Sequence, residues 1–379
     1  MNRETRNRRF TRRQFIHSTA GLALGAALIG GGLAGCGSDE SDEIAATIEA
    51  TVDGDLEYFG WAEFVDPDVI AGFEKEYGVK VNQSFFDSDE AMAQKVASGA
   101  PYDIVMTNSA YIGPLAEAGY LLSLNHDALT HWSELTTPFH DPFYDPGAKY
   151  SIPYAYSPVG VGWRADKVDS SLFTGSWNDL WDVAPQAEKK VFVLEIVGYA
   201  LGASLARLGF DINSGDPDEV DQAAKELIKL KPMMAGFSTD VKGKLPSGEA
   251  WIMQAWPGDM LVIIREADDP SVYGYQNCTE SSVMGSDLLS IPTAAKSPGT
   301  ALLFVDWVMN PEHSAKNVGY TGYPNGTKSG DSAYEQLIGD YAFLGTSEDA
   351  LSGENAWKLA PTGDRLALWN KAWREVQTS

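Results

Sequence analysis

Between Asp55 and Gly119 short apolar runs alternate with amphipathic segments, and each change of period carries its own stop signal. Residues 56–59 read as a strand. Pro67–Tyr77 reads as a helix, with Asp66 at the N-cap, Pro67 at N1, Val69, Ile70, Phe73 and Tyr77 on one face and Gly78 as the stop. Residues 79–81 give a second strand, residues 89–98 a helix closed by Gly99, and residues 102–106 a third strand. Thr107-Asn108-Ser109 caps the next helix, which stops at Gly119. This βαβαβα order predicts an α/β fold with a parallel sheet and helices on both faces.

The first of these strands runs straight into a chemical signal. Gly60 breaks it, and Trp61, Ala62, Glu63 and Phe64 follow immediately before the helix start at Asp66-Pro67. Open α/β sheets place ligands where a strand meets a helix N-terminus. A phosphate site there shows glycines and a Lys; this turn offers an aromatic face and a carboxylate, which suits an organic cation. Trp256-Pro257-Gly258-Asp259 repeats the pairing of ring and acid two hundred residues later. From spacing alone, Trp61 and Trp256 read equally well as core residues and Glu63 as a surface acid.

Around residues 149–164 the pattern changes. The extended, aromatic, glycine-broken stretch from Tyr150 to Trp163 reads as a crossing into a second lobe. A second α/β unit follows, with a helix at 176–181, a strand at 191–194, a helix near 198–208 and an amphipathic helix at Pro217–Leu230. An apolar strand at 251–256 enters the Trp-Pro-Gly-Asp turn, with a helix or strand through 260–265 behind it. Residues 286–292 look like a strand returning to the first lobe. Helices at 299–309 and 311–317 flank the Asn310-Pro311 break, and a closing helix at 356–376 carries Trp357, Trp369 and Trp373 as core anchors.

The N-terminus precedes the fold. Arg3, Arg6, Arg8, Arg9, Arg12 and Arg13 form a basic region, Thr11-Arg12-Arg13-Gln14-Phe15-Ile16 matches a twin-arginine signal, and residues 20–35 form a short Gly/Ala/Leu core. Leu33-Ala34-Gly35-Cys36 looks like a bacterial lipobox with Cys36 as the acylated residue. Residues 1–35 therefore read as a lipoprotein signal peptide, and residues 36–52 as a lipidated Cys with an acidic tether. Export with a lipid anchor to the cell membrane is the expectation. Residues 1–35 hold six Arg and one Glu, so the remainder carries 22 basic against 52 acidic residues, a net charge of −30. That field repels nucleic acid and draws cations, although an acidic high-salt proteome would produce it equally. Cys278 is the one other cysteine, which leaves no partner for an intramolecular disulfide in the mature chain.

Taken together, the motifs resemble bacterial extracytoplasmic solute-binding proteins of ABC importers, specifically the spermidine/putrescine-binding branch. The resemblance rests on Phe59-Gly60-Trp61-Ala62-Glu63-Phe64, Pro101-Tyr102-Asp103-Ile104-Val105, Ser151-Ile152-Pro153-Tyr154, Leu205-Ala206-Arg207-Leu208-Gly209-Phe210, Trp256-Pro257-Gly258-Asp259, Ser286-Asp287-Leu288-Leu289-Ser290-Ile291-Pro292 and the run from Phe304 to Asn325. It implies a two-lobe periplasmic-binding-protein-like fold (type II), with the ligand cleft between lobes joined by hinge segments: residues 53–155 and 279–310 in lobe one, residues 156–278 and 311–379 in lobe two. It further implies Trp61, Ala62, Glu63 and Phe64 as the first ligand turn, Trp256 and Asp259 as the second ring and carboxylate, and Asn108 and Tyr111 beside the ligand. In that picture Glu63 and Asp259 each hold an amine, and Trp61, Trp256 and Phe64 sandwich the alkyl chain. The chain departs from the branch at Ile196 and Tyr199, where the resemblance implies two acids; Glu195 is the substitute for one of them.

The implied partners are a polyamine or related small cation, the permease subunits of an ABC transporter and the membrane through the lipid anchor, with no nucleic acid, no cofactor and a monomeric protein. Two other readings stand beside this one. The lost acids fit a binding protein for an amino-acid-like compound or a sugar. An exported enzyme is the other, but the sequence has no Gly-x-Ser-x-Gly elbow and no His-Glu-x-x-His motif. His126 and His131 lie five apart with no third ligand nearby in sequence, so no metal is expected.

Overall fold

The computed structural model describes residues 48–280, 283–346 and 363–379. The signal peptide, Cys36, most of the acidic tether and Trp357 lie outside the described residues. Ten strands occur among those described: β1 (Leu56–Gly60), β2 (Val81–Phe85), β3 (Ile104–Asn108), β4 (Ser151–Pro158), β5 (Gly160–Arg164), β6 (Val191–Val193), β7 (Met234–Phe237), β8 (Ile252–Ala255), β9 (Tyr273–Gln276) and β10 (Met284–Ser290). They form two five-stranded sheets, ordered β2-β1-β3-β10-β4 and β7-β6-β8-β5-β9. Each sheet anchors its own apolar core, so the α/β chain has two lobes. Leu56, Tyr58, Phe73, Ile104 and Phe304 belong to one core; Trp177, Val193, Leu227, Ile252 and Trp369 belong to the other.

The expected parallel sheet is only partly present. β2, β1 and β3 run parallel, but β10 lies antiparallel between β3 and β4. The second sheet repeats this plan, with β7, β6 and β8 parallel and β5 antiparallel to both β8 and β9. The reason is connectivity. Parallel neighbours need a crossover of a dozen residues or more, usually a helix. β10 instead returns from the other lobe, and so enters the first sheet from its opposite end.

The crossing segments are short and adjacent. β4 of the first sheet continues into β5 of the second through Val159 alone. The Val159 amide donates to the Val283 carbonyl at 2.8 Å, joining the outward crossing to the return that leads into β10. The Pro311–Thr321 helix touches both lobes: it packs against the Pro67–Tyr77 and Pro298–Met309 helices, while its Val318 enters the second core together with Tyr334 of the Lys328–Ile338 helix.

Local chemistry sets the helix ends. Asp66 accepts from the Asp68 amide at 2.7 Å, Pro67 occupies N1, and Gly78 closes the Pro67–Tyr77 helix in the left-handed region at φ 69°. A side-chain cap of this kind contributes about 1 kcal/mol. Its buried face is Val69, Ile70 and Phe73, and the Phe73 ring meets Phe304 edge-on at 5.1 Å. Pro217–Leu230 forms over the expected span, capped by Asp216. At the Pro298–Met309 helix the cap comes from far away in sequence: the Asp53 carboxylate accepts from the Gly299 and Thr300 amides at 2.8 and 2.9 Å. Ile48 and Ala50, assigned to the tether by the sequence, pack against the first core because their apolar side chains find a surface there.

Candidate functional site

A cleft of about 690 Å³ opens between the two lobes, and both contribute to its walls. From the first lobe, the turn after β1 supplies Trp61 and Phe64. Gly60 permits that turn because the Tyr58 ring fills the space a Cβ would need. The Trp61 indole donates to Asp287 Oδ1 at 3.3 Å, and its ring meets Phe86 edge-on at 4.3 Å. Phe64 is tilted against Tyr154 and Tyr323, at 6.0 and 6.2 Å between ring centres. Ala62 and Glu63 are exposed and stand outside the cleft lining, with Glu63 in the left-handed backbone region at φ 57°. The structure therefore puts lobe-one carboxylates in the cleft, but at other positions than Glu63.

Those positions are Asp87, Asp89, Glu90 and Asp287; Asp87 and Glu90 are exposed, whereas Asp89 and Asp287 are half-buried. Asp89 begins the Asp89–Ala97 helix, beyond the C-terminal end of β2, where Ser88 caps the first turn. Its Oδ2 accepts from Asn108 Nδ2 at 2.7 Å, whereas Oδ1 is buried with no hydrogen-bond partner among the described residues. Asp287 lies on β10, opposite Asn108 of β3 in the sheet register. Burial first, then the charges of Asp287 and Glu90, push the Asp89 carboxyl up to about 7, against the pull of Asn108. Burial pushes Asp287 up to about 7 as well, with the Trp61 indole drawing it back. Neither forms an ion pair with a Lys or Arg among the described residues. Two carboxylates that are hard to ionise, with no resident cation, favour a cation brought from outside.

Asn108 lines the cleft, but both ends of its amide are engaged: Nδ2 with Asp89, and Oδ1 accepting from the Ala110 amide at 2.8 Å. It orients Asp89. Tyr111 stands behind the lining, where its hydroxyl donates to Glu90 at 3.1 Å.

The second lobe supplies Glu195, Ile196 and Tyr199 at the start of the Val197–Arg207 helix, and Trp256 and Asp259 at the start of the Pro257–Glu266 helix. Tyr199 and Trp256 meet edge-on at 6.0 Å. The Tyr199 hydroxyl reaches across to the first lobe and occupies the space that a side chain on Gly285 would fill. Its pKa is raised by burial and then by Asp287 and Asp89, so all three converge on one region. Asp259 accepts from the Tyr323 hydroxyl at 3.4 Å and faces Lys242 Nζ at 3.7 Å; burial raises its pKa while Lys242 opposes the rise. Gly258 leaves room for the Tyr323 ring.

Of the residues singled out in sequence, Trp61, Phe64, Asn108, Glu195, Tyr199, Trp256 and Asp259 come together in this cleft, and Ala62, Glu63 and Tyr111 do not line it. Trp373 combines two roles: it is buried in the second core and also reaches the cleft wall, whereas Trp369 is a core anchor whose indole donates to the Ser214 carbonyl at 2.9 Å. Sequence reasoning passed over Asp89, Asp287 and Tyr323. A usable signal existed for Asp89, an acid run at a helix start directly after a strand.

The family model for bacterial extracellular solute-binding proteins matches residues 68–335. The chain is similar to the spermidine/putrescine-binding periplasmic protein 1 of Haemophilus influenzae, with 26% identity over 364 residues, 95% of this chain and 99% of the relative. It is 30% identical to the spermidine/putrescine-binding periplasmic protein of Salmonella typhimurium over 327 residues, 85% of this chain and 91% of the relative. In fold it matches the spermidine/putrescine ABC transporter substrate-binding protein of Streptococcus pneumoniae, with a TM-score of 0.75 and 23% identity, covering 86% of this chain and 99% of that one.

Proposed function

The chain belongs to the family of bacterial extracellular solute-binding proteins, and we propose that it captures a linear polyamine of the putrescine or spermidine kind in the interlobe cleft and delivers it to the permease of an ABC importer. The observation that carries this reading is the pair Asp89 and Asp287, half-buried beside aromatic rings with no cationic side chain paired to them among the described residues. An ammonium has three donors, and Asp89 Oδ1 is an acceptor with no donor among the described residues. Desolvating an ammonium costs several kcal/mol unless a positioned carboxylate pairs with it; two such carboxylates meet that cost here. The methylene chain then runs along Trp61, Tyr199 and Trp256. Each buried CH₂ contributes about 0.8 kcal/mol, and each ring face near an ammonium adds roughly 0.5–2 kcal/mol. Asp259 and Glu195 face the ligand from the second lobe, so a cation bound to lobe-one carboxylates also draws lobe two toward it and favours a closed form.

In the same reading the lobe boundaries are 53–155 with 279–310, and 156–278 with 311–379. Residues 1–35 direct export through the twin-arginine route, and acylated Cys36 holds the domain at the membrane beside its permease. Calorimetric titration of the purified protein with putrescine, spermidine, an amino acid and a neutral sugar tests the ligand class. Polyamine binding that is lost in Asp287→Asn supports it; binding of the sugar or amino acid alone refutes it.

A further inference from the structure

The cleft contains two carboxylate stations in opposite states. In the first lobe, Asp89 and Asp287 pair with no cation among the described residues. In the second, Asp259 has one. Lys242 Nζ stands 3.7 Å from Asp259 Oδ1, with the Lys side chain 59% exposed and the Asp side chain 13% exposed. Lys242 belongs to the Val241–Ser247 helix, whose cap is Asp240, and it is not part of the cleft wall. It reaches a cleft carboxylate from the rim on a four-carbon stem. The other groups facing Asp259 are the Tyr323 hydroxyl, a donor, and Asp240, whose charge repels it.

We propose that Lys242 is a resident counter-ion, whose ammonium stands at Asp259 in the place of a ligand ammonium and has to be displaced by the second amine of a diamine. This inference rests on the polyamine reading above. A separation of 3.7 Å exceeds the roughly 2.7–2.9 Å of a closed N–H···O contact between ions, and exposed ion pairs of this kind are weak. Lys242 can therefore leave for solvent, keeping its own hydration. A ligand with a single ammonium, seated at Asp89 and Asp287, leaves Lys242 where it is. A ligand with two exchanges one ammonium for another at Asp259 and gains less there than it would from an unpaired carboxylate. Lys242 thus sets the preference between ligands with one and two cationic ends, although it touches neither.

The test compares putrescine with butylamine, the same four-carbon chain with one amine, by calorimetry at low ionic strength. The proteins are the wild type, Lys242→Gln and Lys244→Gln. The last removes an equal charge from the same helix at a residue paired with Glu249 instead. Lys242→Gln is expected to tighten putrescine by up to roughly five-fold, the ceiling for an exposed ion pair, while leaving butylamine and the Lys244→Gln affinities near wild type. An unchanged ratio of putrescine to butylamine affinity in Lys242→Gln, or weaker putrescine binding, overturns the inference while the polyamine reading stands. A wild type that binds neither amine overturns both.

Discussion

Replacing Asp89 by Asn makes the strongest demand on this account of the cleft, because it changes both affinity and proton balance. Asp89 and Asp287 are each pushed up to about 7, chiefly by burial. At pH 7 the empty pair therefore holds about one proton between its two carboxyls, and the titration belongs to the pair rather than to either residue. An ammonium placed between them stabilises both ionised forms, so binding expels that proton. Release grows from about one proton at pH 7 toward two below it, so affinity falls about tenfold per pH unit near pH 7 and more steeply beneath, on the order of a thousand-fold between pH 7 and pH 5. Above about pH 8 the dependence flattens while putrescine stays cationic. Asp259, raised in the same direction by burial, adds to the slope without changing its sign. In Asp89→Asn one titrating group remains, and release at pH 7 falls to about half a proton. Loss of one charged acceptor also weakens binding at pH 8 by about 1.5–3 kcal/mol, the range for a hydrogen bond to a charged group. Calorimetry in buffers of different ionisation enthalpy reads both quantities. A buffer-independent heat at pH 7, affinity flat from pH 5 to 8, or an unaltered Asp89→Asn protein would refute the reasoning.

Further outcomes follow from particular contacts. The raised folded-state values of Asp89 and Asp287 mean that ionisation is harder in the folded protein than in the unfolded chain. Their effect on stability is thus most favourable below the unfolded value of 3.8 and is lost as pH rises toward about 7. With respect to these groups, the ligand-free melting temperature should rise between pH 8 and pH 5, and saturating putrescine should flatten the trend. Glu63→Gln should change polyamine affinity less than about twofold, since exposed charges contribute little and Glu63 lies outside the lining; a tenfold loss by calorimetry would return the amine to Glu63. Asp103→Ala should cost about 3 kcal/mol in urea unfolding, because three amides, those of Glu57, Lys296 and Ser297, lose a charged acceptor at 2.7–2.8 Å. A cost below about 1 kcal/mol would show that water replaces it.

Sequence made the interior legible and the edges illegible. Pro217–Leu230 appears with its expected ends, because Asp216, Pro217 and the spacing of Val220, Ala223, Ala224 and Leu227 are all local signals. β7 and β9 carry no such local signal, and β2 begins at Val81, later than the 79–81 strand the sequence predicts. All three are edge strands. The middle of β2, Asn82-Gln83-Ser84, faces outward and carries no apolar alternation. The antiparallel entry of β10 was hidden for a different reason: its partners on β3 and β4 lie more than a hundred residues away. The cleft divides the same way. Trp61 and Trp256 were visible because ring and acid sit within one turn. Asp287 reads as a polar interruption of a strand until the fold sets it opposite Asn108, and Asp89 as an ordinary acid of a helix start until Asn108 holds it.

A crystal structure of the protein grown with putrescine tests the central claim most directly. The account predicts one ligand nitrogen within about 3 Å of carboxylate oxygens of both Asp89 and Asp287, with the carbon chain against Trp61, Tyr199 and Trp256. A ligand whose amines avoid both carboxylates, or one held at Glu63 outside the cleft, would contradict it.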